Sequence, residues 1–264
     1  MPRSWVMWCC LASLVCVSPG VTRSAFGDEE PRDRAMVDDK TGLERRAIFE
    51  PFAVFDTLVG NSTYSATWLR WEQPLSGRWS VQGQLKVSFL TFRTEQDHKT
   101  VHAEAPAVTP LLGLGYRFGP DTTLAVFGGG QVKETRFFGG RPSRRNDDGA
   151  ATEMHFDSTL PASIDLSVVY IYTSGDHTSW GQISATREVL AFGADQRGAL
   201  ALGVAASGVR GRDFDEERAG VVVDLTHTPT DGNITLGVGL GHFSTGRIRD
   251  NIAPYVSVSA NIRF

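Results

Sequence analysis

The final stretch of the chain, NIAPYVSVSANIRF (251–264), alternates strictly between two kinds of side chain. One set is apolar and runs to the last residue: Val256, Val258, Ala260, Ile262 and Phe264. The other set is mostly polar: Tyr255, Ser257, Ser259, Asn261 and Arg263. Successive side chains of a β-strand point to opposite faces, so this period of two predicts an amphipathic strand. Because chain ends usually fray, a strand that reaches the last residue is expected to be held by pairing with another strand.

The same alternation extends backward through the chain to about residue 48. Twelve strands are predicted: 48–57, 62–75, 78–93, 107–118, 121–133, 150–160, 162–173, 178–189, 197–208, 216–227, 231–243 and 253–264. Four of them have one face without any charge: Ile164, Leu166, Val168, Tyr170 and Tyr172; Leu200, Leu202, Val204 and Ala206; Ala219, Val221, Val223 and Leu225; Ile234, Leu236, Val238 and Leu240. No segment shows a convincing period of 3.6 residues, so helix is not predicted. The fold class is therefore predicted to be all-β and antiparallel.

Two architectures accommodate this alternation: a soluble sandwich or barrel with an apolar interior, and a membrane barrel with an apolar exterior. The connections favour the second, because links such as 76–77 and 119–120 are short while 94–106, 134–149 and 244–252 are long. Short turns on one rim and long loops on the other are typical of an up-and-down transmembrane barrel in the bacterial outer membrane, with both termini on the periplasmic side. Lipid offers the backbone no hydrogen bonds, so the last strand is predicted to pair with the first and close a barrel of about 12 strands.

Aromatic side chains near the predicted strand ends are expected at the level of the lipid headgroups. They are Trp68, Trp71, Tyr116, Phe118, Tyr170, Tyr172 and Tyr255. The registers of the second and eighth predicted strands stay open. On the second, two sets compete for the apolar face: Tyr64, Ala66, Trp68 and Arg70 against Ser65, Thr67, Leu69 and Trp71.

The first 25 residues have the composition of an export signal. Arg3 precedes an apolar run, WVMWCCLASLVCV (5–17), and a Ser-Pro-Gly break follows it. These features predict a cleaved secretory signal peptide, whose apolar run is too short to span a bilayer as a helix. A lipoprotein signal is the alternative, although Val15 stands before Cys16 where a small residue is expected. All three cysteines lie in this segment, so the exported part is predicted to have no disulfide.

Residues 26–47 are predicted to form a charged periplasmic linker. They carry 12 charged side chains among 22 residues and no hydrophobic period, so they bury too little surface to order themselves. The predicted organisation is a signal peptide (1–25), this linker (26–47) and an outer-membrane barrel (48–264).

The overall charge argues against a polyanionic partner. The formal net charge is -4 and the pI about 5.9, with both signs spread along the chain. No basic field is offered to nucleic acid, so a nucleic-acid partner is not predicted. The predicted membrane barrel has outer-membrane lipid as its expected partner.

Candidate catalytic residues are few. His177 and Ser179 in HTSW (177–180) resemble a hydrolase pair, with Asp176 as the nearest carboxylate. Strand residues two apart share a face without pointing their reactive atoms at each other, so no catalytic residue is predicted and the protein is predicted not to be an enzyme.

The sequence also predicts no metal and no cofactor. His98 and His102 are the histidines at a metal-ligand spacing, but they lie in a predicted solvated loop. RRNDDG (144–149) lacks the later ligands of a calcium loop. GLGYRFG (113–119) and GVGLG (237–241) lack the helix that follows a phosphate-binding loop. Glycine at alternate strand positions instead indicates bending or room left inside the barrel.

Five charged residues fall on the faces that alternation assigns to the lumen: Arg117, Asp165, Arg218, Asp224 and Arg263. On the lipid face an arginine at the membrane midplane costs about 2–4 kcal/mol, so the inward register is favoured. These side chains are predicted either to form a network that fills the lumen or to line a polar path. The apolar set of the last strand, from Val256 to Phe264, is predicted to face lipid.

From about residue 107 to the end, the chain resembles the BcsS family of cellulose biosynthesis proteins of the Gram-negative envelope. The resemblance lies in five segments: GLGYRFG (113–119), FGADQRGALALGVAASG (192–208), DEERAGVVVDL (215–225), GNITLGVGLGHF (232–243) and APYVSVSANIRF (253–264). The chain departs from the family at Gly193-Ala194-Asp195, where an acidic residue after Gly-Pro is expected. The resemblance implies an accessory role in exopolysaccharide (cellulose) biosynthesis or secretion and transfers no catalytic residue. Its implied partners are polysaccharide and periplasmic cellulose-synthase components.

Two other functions stay open at this point. One is a general diffusion or small-solute porin, and the other is a barrel enzyme that acts on lipid or glycan. An open polar pore and a filled barrel have the same alternating sequence pattern.

Overall fold

The protein is described by a computed structural model over residues 47–262, except 76, 97–98, 140–142, 194–197, 228–231 and 246–247. The predicted signal peptide, nearly all of the predicted linker, Arg263 and Phe264 lie outside the described residues. The described chain forms thirteen strands: β1 (Ile48–Leu58), β2 (Ser62–Pro74), β3 (Trp79–Gln96), β4 (Lys99–Arg117), β5 (Thr122–Phe138), β6 (Ser143–Asn146), β7 (Gly149–Leu160), β8 (Ile164–Thr173), β9 (Thr178–Phe192), β10 (Gly198–Arg210), β11 (Asp215–His227), β12 (Gly232–Thr245) and β13 (Ile248–Asn261). Within the same ranges, no helix is long and apolar enough to cross a membrane.

The strands close into an antiparallel barrel. β13 pairs with β1, with Ser257 opposite Asp56, and β4 pairs with β5, so the sheet has no open end between them. Twelve of the thirteen described strands form the ring, and β6 pairs with the outer end of β5. The all-β, up-and-down barrel of about 12 strands is therefore confirmed, including closure by the last strand.

The barrel is apolar outside and polar inside. Leu112 and Leu240 on its outer surface are 61% and 63% exposed, whereas Glu153 and Glu216 in the lumen are 3% and 1% exposed. A soluble β domain places its large apolar side chains inside, which excludes the soluble alternative. An exterior of this kind requires an apolar surrounding, as in a transmembrane barrel.

Strand pairing settles the open register of β2 and corrects two aromatic expectations. Phe52, Trp68 and Lys86 are successive partners across β1, β2 and β3, and they face the lumen. The rings of Phe52 and Trp68 stack at 5.0 Å. Trp68 and Tyr255 therefore lie inside the barrel rather than at the headgroup level, because cross-strand partners must share a face.

All three predicted long loops are largely strand. β3 and β4 pair continuously from Trp79 opposite Tyr116 to Gln96 opposite Lys99, which covers most of 94–106. The segment 134–149 contains the end of β5 and all of β6. The third segment, 244–252, contains the last residues of β12 and the first residues of β13. Backbone hydrogen bonding continues beyond the apolar belt where the side chains are polar, so the loss of an apolar face did not mark the end of pairing.

Candidate functional site in the barrel lumen

The end of the lumen that lies farther from residues 47 and 262, the two ends of the described chain, is filled with apolar side chains. We call this cluster the apolar seal, and it consists of Leu58, Phe92, Ala103, Ala105, Phe214, Phe243, Ala253 and Tyr255. Leu58 and Phe243 are 0% exposed. Phe214 comes from the link 211–214 between β10 and β11, and its ring lies 4.8 Å from the Phe92 ring and 5.5 Å from the Phe243 ring. Phe92 and Phe243 stand on β3 and β12, four strands apart round the ring, so the seal reaches across the lumen.

Polar contacts at the rim hold the link in place, and we call them the rim latch. Arg145 on β6 donates two hydrogen bonds to the Asp213 carboxylate, at 3.0 and 2.5 Å, and a third to Asp147 at 2.7 Å. Thr94 Oγ1 donates to the Asp213 carbonyl oxygen at 3.1 Å. The bidentate bond to Asp213 raises the pKa of Arg145 although partial burial opposes the rise. Arg145 also lies 5.5 Å from the centroid of Phe137, which packs against the apolar seal.

An ionic layer lies directly below the seal. Arg218 on β11 contacts the carboxylates of both Asp56 and Glu216, and its guanidinium lies 5.8 Å from the Tyr255 ring centroid. Ser62 Oγ on β2 donates to Glu216 Oε2 at 2.5 Å, so the layer connects strands from different parts of the barrel. Burying one guanidinium with two carboxylates is tolerable because each charge has a partner.

A second polar group crosses the lumen between β3 and β7. Lys86 Nζ lies 2.7 Å from Glu153 Oε2, and Gln84 Nε2 donates to the same carboxylate at 3.2 Å. His155 contacts the other Glu153 oxygen. Nearby, Arg70 donates to Gln82 at 2.5 Å. These long side chains fill the lumen along β2, β3 and β7.

The opposite wall, β8 to β13, has small side chains in its terminus-proximal half. Those that face the lumen there are only half-buried: Ser167, Ser184, Thr186, Ala201, Ser257 and Ser259. Solvent therefore enters the lumen along this wall, from the end of the barrel at which residues 47 and 262 lie.

The five charged residues proposed for the lumen lie in separate places. Arg218 belongs to the ionic layer. Asp224 is half-buried and lies six residues further along β11, about 20 Å from Arg218. Asp165 is exposed and accepts from Thr159 at 2.7 Å.

The other two charged residues predicted for the lumen, Arg117 and Arg263, do not belong to the polar groups described above. Arg117 is exposed at the terminus-proximal end of β4, and Arg263 lies outside the described residues. Sequence reasoning missed the partners of Arg218, although Glu216 shares its face by the same alternation. Nothing local marks Asp56 as the second partner, because it lies on a strand far away in sequence.

The last strand presents its apolar set outward. Val256, Val258 and Ile262 are 40%, 38% and 43% exposed, and Ala260 is exposed as well. Phe264 lies outside the described residues.

The three candidate catalytic side chains, Ser179, His177 and Asp176, contact other groups rather than one another. Ser179 Oγ donates to the Arg210 carbonyl oxygen at 3.4 Å, and His177 Nδ1 lies 3.5 Å from the Tyr172 hydroxyl. Asp176 pairs with Lys133. The three therefore do not assemble a nucleophile, base and orienting acid.

Most of the candidate metal ligands contact other protein groups, and one of them lies outside the described residues. His102 lies on β4 with Glu104 3.9 Å away, and His98 lies outside the described residues. In RRNDDG, Asp147 binds Arg145 and Thr135, and Asp148 accepts from the Lys133 backbone nitrogen. Over the described ranges, no group of three or more His, Cys, Asp and Glu side chains is arranged to hold a metal ion.

The fold and lumen define a class of architecture, a closed antiparallel barrel with an apolar exterior and a filled polar interior. No protein-family model matches the chain, and no curated protein matches it. The barrel is similar to the β domain of the Bordetella autotransporter BrkA, with 12% identity over 83% of this chain and 98% of that chain and a TM-score of 0.48.

Two further solved structures are similar. The translocator domain of the autotransporter NalP from Neisseria meningitidis has 10% identity over 83% of this chain and 88% of that chain, with a TM-score of 0.48. An outer membrane channel from Pseudomonas putida F1 has 12% identity over 83% of this chain and 95% of that chain, with a TM-score of 0.45. These values are too low to transfer a function to this chain.

Proposed function

We propose that the protein is an outer-membrane β-barrel whose lumen is closed at rest, and that it acts as a non-catalytic accessory to exopolysaccharide (cellulose) biosynthesis or export. The observation that carries the closed lumen is the position of Phe214 between Phe92 and Phe243. The apolar exterior supports the membrane location, and the signal peptide expected from residues 1–25 supports export.

A filled lumen distinguishes this proposal from a general diffusion porin. A porin needs a continuous water-filled path, whereas here the apolar seal and the Arg218 layer lie in series across one end of the lumen. A permanently open water-filled path would require the apolar seal to be absent. The interior therefore favours an accessory or scaffolding barrel over a permanently open pore.

The orientation gives each end of the barrel a role. With both termini in the periplasm, the apolar seal lies toward the cell surface and the accessible wall of β8 to β13 opens to the periplasm. Periplasmic cellulose-synthase components or a polysaccharide would meet that accessible end. This part of the proposal rests on the resemblance of residues 107–264 to the BcsS family.

The contacts of Ser179 and His177 support the non-catalytic role. Each side chain has a partner other than the residue with which it would have to react, and Asp176 is held by Lys133. A hydrolase would require these groups to form one hydrogen-bonded chain.

Deletion of the gene in its native bacterium tests the proposed function. Secreted cellulose is expected to fall and to return when the wild-type gene is supplied on a plasmid. Uptake of small sugars and amino acids in the same strains is expected not to change, because a lumen closed at rest does not serve general diffusion. Unchanged cellulose together with slower solute uptake would instead establish the porin alternative.

A further inference from the structure

We infer that the link 211–214 is a withdrawable plug, which makes the barrel a gated conduit for small ions and polar solutes. The inference rests on the proposed function only for the closed resting lumen, and it adds an activity to it.

The link is attached to the barrel in a way that allows it to move alone. The β10–β11 pairing ends with Arg210 opposite Asp215, so residues 211–214 have no partner in the strand ladder. Within the link, the Gly211 nitrogen donates to the Phe214 carbonyl oxygen at 3.2 Å and to Asp215 Oδ1 at 3.3 Å. Withdrawal of Phe214 therefore breaks no strand pairing of the ring.

Two kinds of contact retain the plug: the packing of the Phe214 ring against Phe92 and Phe243, and the polar rim latch, whose central ion pair is partly exposed. In the rim latch, the Arg145 and Asp213 side chains are 27% and 19% exposed. Water can replace the partners of partly exposed ions far more easily than those of fully buried ions. The latch and the plug are adjacent in sequence, at Asp213 and Phe214, so opening the latch removes one of the two restraints on Phe214 and leaves only its ring contacts.

The lumen below the plug is suited to hydration. The Arg218 layer and the Lys86–Glu153 group carry charges of both signs, and the wall of β8 to β13 already admits solvent. A second apolar cluster, formed by Leu111, Ala125, Phe127 and Ala151, lies along the β4, β5 and β7 side of the barrel rather than across the lumen. In the described part of the chain, the apolar seal is thus the hydrophobic constriction that water must pass, in series with the polar Arg218 layer, as in pores that gate by dewetting. Mixed charges predict little selectivity between cations and anions.

Single-channel recording in planar bilayers tests the inference with the full-length mature protein. Wild-type protein is expected to be closed with rare, brief openings. Phe214→Ala and Asp213→Ala are expected to raise the open fraction at least tenfold, the first by removing the ring and the second by removing the latch. Arg144→Ala is the matched control, because Arg144 neighbours Arg145 but is 74% exposed and lies 3.8 Å from Glu134, outside the latch.

A charge reversal with a conservative partner variant separates the latch from a general loss of structure. Asp213→Arg is expected to open the barrel by repulsion from Arg145, whereas Asp213→Glu keeps the carboxylate and is expected to remain closed. Heat-modifiable migration on gels shows that each variant retains the barrel.

The possible outcomes separate the two proposals. If the wild type is closed and Phe214→Ala and Asp213→Ala are equally closed, the plug is refuted while the closed accessory barrel stands. If Arg144→Ala opens the barrel as much as Asp213→Ala does, the latch is refuted. Steady conduction by the wild type would overturn the closed lumen of the proposed function itself.

Discussion

Tyr255 shows how single residues decide the packing of the lumen. Its side chain is 6% exposed and lies over two glycines on neighbouring strands. A Cβ atom added to Gly239 would lie 2.6 Å from Tyr255 Cε1, and one added to Gly220 would lie 2.6 Å from the Tyr255 hydroxyl oxygen. Gly239, the middle glycine of GVGLG, and Gly220 thus leave room for this ring, which also faces the Arg218 guanidinium.

Gly239→Ala is therefore expected to destabilise the barrel by about 1–3 kcal/mol through overpacking. The measurement is the unfolding midpoint in detergent, followed by heat-modifiable migration. Gly128→Ala is the matched control, because a Cβ on Gly128 would meet nothing within 4 Å on the outer face of β5. A Cβ on Gly239 would also overlap the Ala219 carbonyl oxygen, so equal midpoints for the two variants would contradict the close packing of β11 and Tyr255 around Gly239.

At the scale of elements, the β8–β9 hairpin is fastened by its turn. Asp176 in the link 174–177 contacts Lys133 on β5 and accepts hydrogen bonds from Thr173 Oγ1 at 2.6 Å and from the Thr178 nitrogen at 3.2 Å. Burial by itself would raise the pKa of Asp176, but Lys133 and these hydrogen bonds hold it below its usual value. The turn is therefore tied to the neighbouring hairpin by an ionised carboxylate.

Asp176→Asn is expected to cost about 2 kcal/mol at neutral pH, because hydrogen bonds to a charged group are lost. A carboxyl whose pKa is depressed in the folded state stabilises above its unfolded pKa of about 3.9, and this contribution disappears as the pH falls through the folded value. The difference in unfolding free energy between wild type and variant is thus expected to shrink below about pH 4. A difference that stays constant from neutral pH down to about pH 2, well below the unfolded value, would contradict the ionic role of Asp176.

At the scale of the whole molecule, the apolar exterior places the barrel across the bilayer. The depth of individual residues in the membrane can be tested on one strand, β12. Val238 lies in the middle of β12 and is 51% exposed, while Ile234 lies near the end of the strand and is 46% exposed. Val238→Arg is expected to cost about 2–4 kcal/mol in lipid vesicles and Ile234→Arg about 0–1 kcal/mol, because the cost of a charge on the lipid face depends on its depth. Folding titrations in urea with phospholipid vesicles measure both. Equal costs at the two sites would contradict the placement of β12 across the bilayer.

The sequence by itself determined the twelve strands of the ring and the two faces of those with clean alternation, but neither the register of β2 nor the full length of β3 and β4. The period of two in segments such as 164–172, 219–225 and 251–262 predicted which side chains face outward, because alternation is a local property of an extended backbone. Closure by the last strand also followed, since unpaired backbone groups are costly in lipid.

Only the tertiary structure decided which side chains meet inside. Asp56, Glu216 and Arg218 come together because the barrel places β1 near β11, and Lys86 meets Glu153 across the lumen. The link 211–214 has no period at all, so nothing in it predicted that Phe214 would turn inward. Contacts across a lumen depend on strand number, stagger and pairing of the closed sheet, and these are properties of the whole ring rather than of any one segment.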